Sequence, residues 1–215
     1  MIKVAWSTAH QEFIISDHYY FSKLQRYTRE NNIIVEEIDD INKFPDYDTI
    51  VFNYPEIPFK KDEVEFLSEL IRKGRKILIF GYYKNEDRIA DTCNSLTKEF
   101  GIVFNGDIIV DTENNYEKDD LLITTTKIKH FKDNVNKVML ACTDSITIEN
   151  ELVEPLVYAE DTAISKSGKE KILFAEYRDL GSGGALIAGG TCVFWDNYSI
   201  DLYNNKEFSL DLLSR

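Results

Sequence analysis

"KILIFGYYKNEDRIADTCNSL", residues 76–96, reads as an apolar strand, a glycine, a polar turn and then a helix. Many α/β enzymes hold a nucleophile or a phosphate-cradling loop at a turn of this kind. Here the turn carries Gly81, Tyr82, Tyr83 and Lys84. The crest that would present a nucleophile is there, but it offers neither Ser nor Cys.

Working outward, the same grammar repeats. "IKVAW" (2–6) is a first strand, and "DHYYFSKLQRYTREN" (17–31) a helix with Tyr20, Leu24 and Tyr27 at helical spacing. "NIIVEEI" (32–38) is a second strand, and "YDTIVFN" (47–53) a third, apolar as a strand buried on both faces is. "KKDEVEFLSELIRKG" (60–74) places Val64, Leu67, Leu70 and Ile71 on one stripe, acids near the positive helix start, and Gly74 at its close. After the strand 76–80, a helix is predicted over 85–99 with Ile89, Leu96 and Phe100 inward. Consecutive β-α-β units with short links predict a doubly wound, mainly parallel α/β sheet with the first strand central.

Beyond Phe100 the pattern turns β-rich. "GIVFNGDIIVD", "LLITTTKI", "NKVMLA", "SITIE", "EPLVYAE" and "KILFAEY" are strand-like and separated by turn residues. "GALIAGGTCVFWDN" (184–197) reads as one more buried strand and "NKEFSLDLLSR" (205–215) as a final helix. No linker, repeat or low-complexity tract divides the chain. It is read as a single domain, 1–215, with a β-rich elaboration over about 106–180 that continues the sheet and adds antiparallel hairpins.

Composition bounds the function. The 215 residues are 43% hydrophobic and 13% aromatic, as in a globular chain. A formal charge of −13, from 38 acidic and 25 basic residues, argues against nucleic-acid binding and against adhesion to an anionic membrane. No stretch approaches the roughly 20 apolar residues of a membrane span. The opening run enters a strand directly, without a signal-peptide pattern, and Cys93, Cys142 and Cys192 are scattered with no CxxC. These features predict a reduced, cytoplasmic protein without a disulfide framework or zinc site.

In an open α/β sheet, ligands bind outside the carboxyl ends of the strands. The loops there supply the candidate ligand-binding residues His10, Glu12, Asn53, Tyr54, Tyr82, Tyr83 and Asp196, read as a polar, aromatic rim. His10 with Glu12 is the best acid/base pair. The plainer reading is that His10 fixes its loop by hydrogen bonds, and His18 and His130 add no metal-ligand pattern. Cys93, midway along its helix, and Cys192, at the end of an apolar run, read as core; Ser182 in "LGSGGA" reads as a hairpin connection. "GSGGALIAGG" has no GxxxxGK[ST], and its glycines flank a strand. No catalytic residue, metal or cofactor is assigned.

The order of pieces resembles the class I glutamine amidotransferase-like superfamily. In particular it is similar to the non-catalytic branch related to gliding-motility and intraflagellar-transport proteins, the GIFT domains. The resemblance rests on "AWSTAHQEF" and its following helix, on "YDTIVFNYPEIPFKKDEVEFLSELIRKGRKILIFG", on "SLTKEFGIVFNGDIIVD" and on "GGTCVFWDNYSIDLYNNKEFSLDLL". It implies a flavodoxin/amidotransferase-like fold. Catalytic relatives carry a Cys at the turn after a central strand and a later His-x-Glu pair; this chain has Tyr82 and Tyr83 after Gly81 and no downstream His-x-Glu. Three readings follow. The first is a non-catalytic module that holds a small polar ligand, a sugar or a partner peptide in the strand-end cleft. The second is an enzyme using His10 and Glu12 as acid/base or metal ligands. The third is an accessory subunit that works through an interface, with another protein or as a homo-oligomer.

Overall fold

The computed structural model describes every residue of the chain except Asp133. The first half alternates strand and helix: β1 (Ile2–Ser7), α1 (His18–Glu30), β2 (Ile33–Ile38), β3 (Thr49–Asn53), α2 (Lys61–Arg72), β4 (Lys76–Phe80) and α3 (Ile89–Thr97). Short strands dominate the second half: β5 (Ile102–Phe104), β6 (Ile109–Val110), β7 (Asn115–Tyr116), β8 (Asp119–Thr125), β9 (Val138–Ala141), β10 (Ile146–Ile148), β11 (Val153–Tyr158), β12 (Ile164–Ser165), β13 (Ile172–Arg178) and β14 (Ala185–Gly189). The helix α4 (Asn205–Ser214) follows.

Local chemistry sets the helix ends. Asp17 caps α1, its carboxylate accepting from the Tyr19 N–H at 3.0 Å. Glu63 reaches back from the first turn of α2 to the Lys60 N–H at 2.7 Å. Gly74 closes that helix at φ +86°, a conformation glycine adopts without steric cost.

Among the described residues, nine strands form one sheet in the order β2-β1-β3-β4-β14-β13-β10-β5, with β11 paired to β13. β2, β1, β3, β4 and β14 run parallel; from β13 onward the pairing is antiparallel. Two small sheets, β12-β6 and β7-β8-β9, complete a mixed α/β architecture. Both halves of the chain thus contribute to one sheet, because β14 returns to lie beside β4.

Three expectations need correction. β1 is second from the edge, not central; the central pair is β4 and β14, whose residues are almost all buried, while β2 exposes Glu36 and Glu37 and forms the edge. The helix predicted over 85–99 begins only at Ile89, because Lys84, Asn85, Asp87 and Arg88 all have φ between +48° and +62°. The strand predicted over 184–197 ends at Gly189. The chain turns there because the Asp144 N–H donates to the Gly190 carbonyl at 2.8 Å, drawing the two backbones together.

The core is heavily aromatic. Phe80, Phe174, Phe194 and Phe208 pack at centroid distances of 5.2–6.0 Å, edge to face except for the tilted Phe80–Phe174 pair, and Trp195 joins them 4.8 Å from Phe80. Among the described residues, no helix is long and apolar enough to cross a membrane.

Gly190 should be the least replaceable glycine of the sheet end. A Cβ there would stand 2.0 Å from the Asp144 carbonyl oxygen, whereas at Gly183 (φ +76°) it would meet open space. Gly190→Ala is therefore expected to cost about 3 kcal/mol by overpacking and Gly183→Ala about 1 kcal/mol by backbone strain alone. Urea denaturation of the two variants checks this; equal losses would contradict it.

Candidate functional site

The carboxyl ends of β1, β3, β4 and β14 meet at Trp195. Its indole N–H donates to Asn53 Oδ1 at 3.2 Å, and its rings lie 5.0 Å from Trp6 and 4.6 Å from Phe194. Trp6 in turn donates to the Phe13 carbonyl at 2.7 Å. These buried indoles, each with its N–H satisfied, bring three loops to one edge. Between the loops lies a cavity of about 280 Å³ lined by Phe13, Tyr20, Phe21, Tyr54, Tyr82 and Asp196. Cys192 and Val193 complete its lining. A larger, more open groove of about 500 Å³ lies away from these strand ends, between α1 and the β2 edge.

The residues expected at a rim separate into two groups. Tyr54, Tyr82 and Asp196 line the cavity, and Tyr83 stands beside it, its ring 4.7 Å from Tyr82. His10, Glu12 and Asn53 are buried and do not line it; Tyr54 and Asp196 are also largely enclosed, but border the cavity. The His10 ring stacks on Phe59 at 4.2 Å and meets Phe52 edge-on, and its carbonyl accepts from the Glu56 and Ile57 N–H groups. Glu12 accepts from the His10 N–H at 2.8 Å. His10 Nδ1 and Glu12 Oε1 stand 3.8 Å apart, and Nε2 is 3.6 Å from Glu63. This pair clasps the β1 loop to the loop before α2, because Phe59 and Glu63 arrive from a distant segment to cover it. Among the described residues, no three His, Cys, Asp or Glu side chains gather as a metal site requires.

The turn after β4 lacks the geometry of a nucleophile crest as well as its residue. Tyr82 is extended (φ −156°, ψ 160°). The left-handed backbone lies further on, at Lys84, Asn85, Asp87 and Arg88, and Tyr54 and Gln11 on the neighbouring loops are also left-handed. Non-glycine residues pay steric strain in this region, and such strain collects where surrounding structure over-determines a loop. Asn85 supplies part of that bracing by bonding both the side chain and the N–H of Asp91. The Lys84 N–H adds a 2.6 Å bond to the Asp107 carbonyl.

The cavity hydroxyls and thiols are poor nucleophiles. Burial, then the hydrogen bond to Asp87, raises the ionisation of Tyr54 well above the ordinary phenol range. Tyr82 is raised by burial and by its bond to Cys142. Burial and the Asp196 charge push the Cys192 thiol up, and burial does the same to Cys93, the latter fully enclosed in α3.

Sequence reading missed a carboxyl pair beneath this turn. Asp144 Oδ1 and Oδ2 accept from the Asp107 and Gly106 N–H groups at 2.8 and 2.9 Å. Asp107 accepts from the Ser145 N–H and from the hydroxyls of Ser145, Ser165 and Ser167. Burial, then the hydrogen bond to Asp107, lifts Asp144 to about 8. Burial works against the charge on Asp107, but bonds from Asp144 and the serines prevail and hold it at about 2. Asp144 thus carries the proton of the pair at neutral pH. The available signal was an Asp within each of two apolar stretches, "FNGDIIV" and "CTDSITI".

With this geometry in view, the model of the IFT52 GIFT domain family matches residues 4–156. The chain belongs to that family. The GIFT-domain match spans the His10 clasp, the Tyr82 turn and both aspartates; Cys192 and Asp196 lie outside it. Over 219 residues the chain is 47% identical to an uncharacterized protein of Aquifex aeolicus (strain VF5), covering 99% of this chain and 93% of that one. Among solved structures, the N-terminal domain of mmIFT52 matches with a TM-score of 0.79 at 18% identity, covering 96% of this chain and 93% of that one. Alpha-L-fucosidase isoenzyme 2 from Paenibacillus thiaminolyticus matches with a TM-score of 0.51 at 14% identity; all of this chain aligns, on 32% of the enzyme. At these identities the structural likenesses speak to the fold alone.

Two outcomes are expected in this GIFT domain. The stability contributed by the Asp144 carboxyl is fully present below about pH 4 and is lost as pH rises from there through about 8. That of Asp107 is lost in the opposite direction, as pH falls from about 4 towards about 2. Asp144→Asn removes the first loss, so its urea midpoint should fall less than that of wild type between about pH 5 and 8.5. Parallel midpoint curves would contradict the assignment. Tyr82→Ala, at a half-buried position, should cost about 2 kcal/mol, against about 3–5 kcal/mol for a fully buried aromatic. A loss above about 4 kcal/mol would make Tyr82 a core residue instead.

Proposed function

We propose that this GIFT domain is a non-catalytic interaction module whose strand-end face holds a protein partner. One observation carries the reading. Phe13 and Tyr20, exposed by 47% and 45%, line the cavity, and Tyr19 and Tyr198, exposed by 65% and 61%, extend the aromatic surface from Tyr20. Tyr19 meets Tyr20 at 4.9 Å and Tyr198 at 6.0 Å, and Phe13 stacks on Tyr54 at 4.5 Å. Clustered exposed aromatics mark interfaces, where tyrosine supplies large contact area at small entropic cost.

The finer lineage, a class I glutamine amidotransferase-like fold without its nucleophile, is supported by the parallel strand order β2-β1-β3-β4-β14 and by Tyr82 at the crest. That order is of the doubly wound, flavodoxin-like kind. The chain works as one domain, 1–215, a reading supported by the sheet shared between its halves. Its acidity disfavours nucleic acid and anionic membrane as partners, and its three free cysteines support a reduced, cytoplasmic setting. The rival reading, an enzyme using His10 and Glu12, is weakened because both side chains are enclosed beneath Phe59 and Glu63 and neither lines the cavity.

The test compares wild type with the Tyr19→Ser/Tyr198→Ser variant, whose side chains are exposed enough to leave the melting temperature unchanged. A defined partner, or a second copy of the chain, should associate with wild type and be lost from the variant. Identical association of both would overturn the reading. So would turnover of glutamine or an activated ester that disappears in Cys192→Ala.

A further inference from the structure

We propose that the cavity accepts an alkylated ammonium cation, a choice that rests on reading the strand-end cleft as a binding site. Five of its eight lining side chains are aromatic, and one of the other three is the carboxylate Asp196. Among the described residues no Lys, Arg or His lines it, so an anion would find no counter-charge there. Aromatic faces carry the negative side of a quadrupole and attract cations, most strongly where water is excluded.

The tyrosine hydroxyls sharpen the choice. Tyr54 donates to Asp87 at 2.9 Å, and Tyr82 bonds Cys142. Two of the three cavity tyrosines therefore offer ring surface and few free hydrogen-bonding atoms. A sugar or polyol would bury hydroxyls without partners, and each unsatisfied group would weaken its binding. A methylated ammonium has no such requirement. It needs aromatic surface and one negative charge, and both are present.

Asp196 is held in place at the cavity wall. Its Oδ1 accepts from the Tyr198 and Ser199 N–H groups at 3.0 and 2.8 Å, which fixes the side chain. Among the described residues, Oδ2 receives no hydrogen bond. Glu86 and Asp87 lie close enough to act on Tyr54, so the surrounding field is acidic, as is the whole chain at −13. The same turn already shows the chemistry internally: the Lys84 ammonium sits 4.7 Å from the centre of the Tyr83 ring.

The trimethylammonium group could come from a free small molecule or from a methylated lysine of a partner. NMR titration of the ¹⁵N-labelled domain separates these with three probes: choline, its neutral carbon isostere 3,3-dimethylbutan-1-ol, and a short peptide carrying trimethyllysine. Choline should shift the amides of residues 192–199 and 82–83 saturably and bind at least about tenfold tighter than the isostere. Asp196→Asn, which keeps the Oδ1 acceptor, and Tyr20→Ala, at an exposed site on α1, should each weaken choline by about tenfold. In Asp196→Asn the isostere should be unaffected. A peptide about tenfold tighter than choline would identify the partner-borne source; equal affinity would identify the free one. Equal binding of choline and isostere would overturn the cation assignment while leaving the cleft a binding site. No shift with any probe would overturn it too, and the Tyr19→Ser/Tyr198→Ser comparison then decides separately whether the face is an interface.

Discussion

The strand-end face depends on where Trp195 sits. β14 delivers the chain to this edge, and the indole then wedges against Phe80, Phe194 and Trp6 while its N–H reaches Asn53 across the sheet. Four strand ends are tied by one side chain. Removing the indole would leave the Asn53 amide wholly unpartnered in a buried site, since its Nδ2 has no partner even now among the described residues. An unsatisfied buried polar group costs about 1–3 kcal/mol, so the tie has energetic as well as geometric weight.

Around that wedge the molecule divides its labour. Buried polar groups hold the loops: the His10–Glu12 clasp on one side and the Asp107–Asp144 pair on the other. Aromatic side chains face outward or line the cavity. The left-handed residues Gln11, Tyr54, Lys84, Asn85, Asp87 and Arg88 show that the loops are held against local preference by this bracing. A catalytic crest would place such strain at the nucleophile; here Tyr82 itself is relaxed and the strain lies in the loop that shapes the cavity.

Much of the fold could be read locally, and the failures share one cause. β1 to β4 and the first two helices follow from apolar runs, helical stripes and caps, all encoded within a dozen residues. The late start of α3 could not be read that way, because Asn85, Asp87 and Lys84 are held by Asp91, Tyr54 and Asp107, and two of those three lie in other segments. β14 is cut short by the approach of the Asp144 backbone, again a contact between distant segments. At the site, Tyr54, Tyr82 and Asp196 were legible because strand-end loops converge in a parallel sheet. His10 and Glu12 lie off the cavity because Phe59 and Glu63 cover them, and Tyr20, on the helical stripe with Leu24, is nonetheless exposed, because helical spacing says which face is apolar, not which face is left uncovered.

Hydrogen exchange on wild type and Trp195→Phe tests this account most directly. If Trp195 holds the face, the variant should lose protection at residues 10–13, 53–55 and 192–199 while β1 to β4 stay as protected as before. Uniform loss across the whole sheet would mean that Trp195 is core volume and nothing more. Unchanged protection at the three loops would mean that something other than this indole positions them.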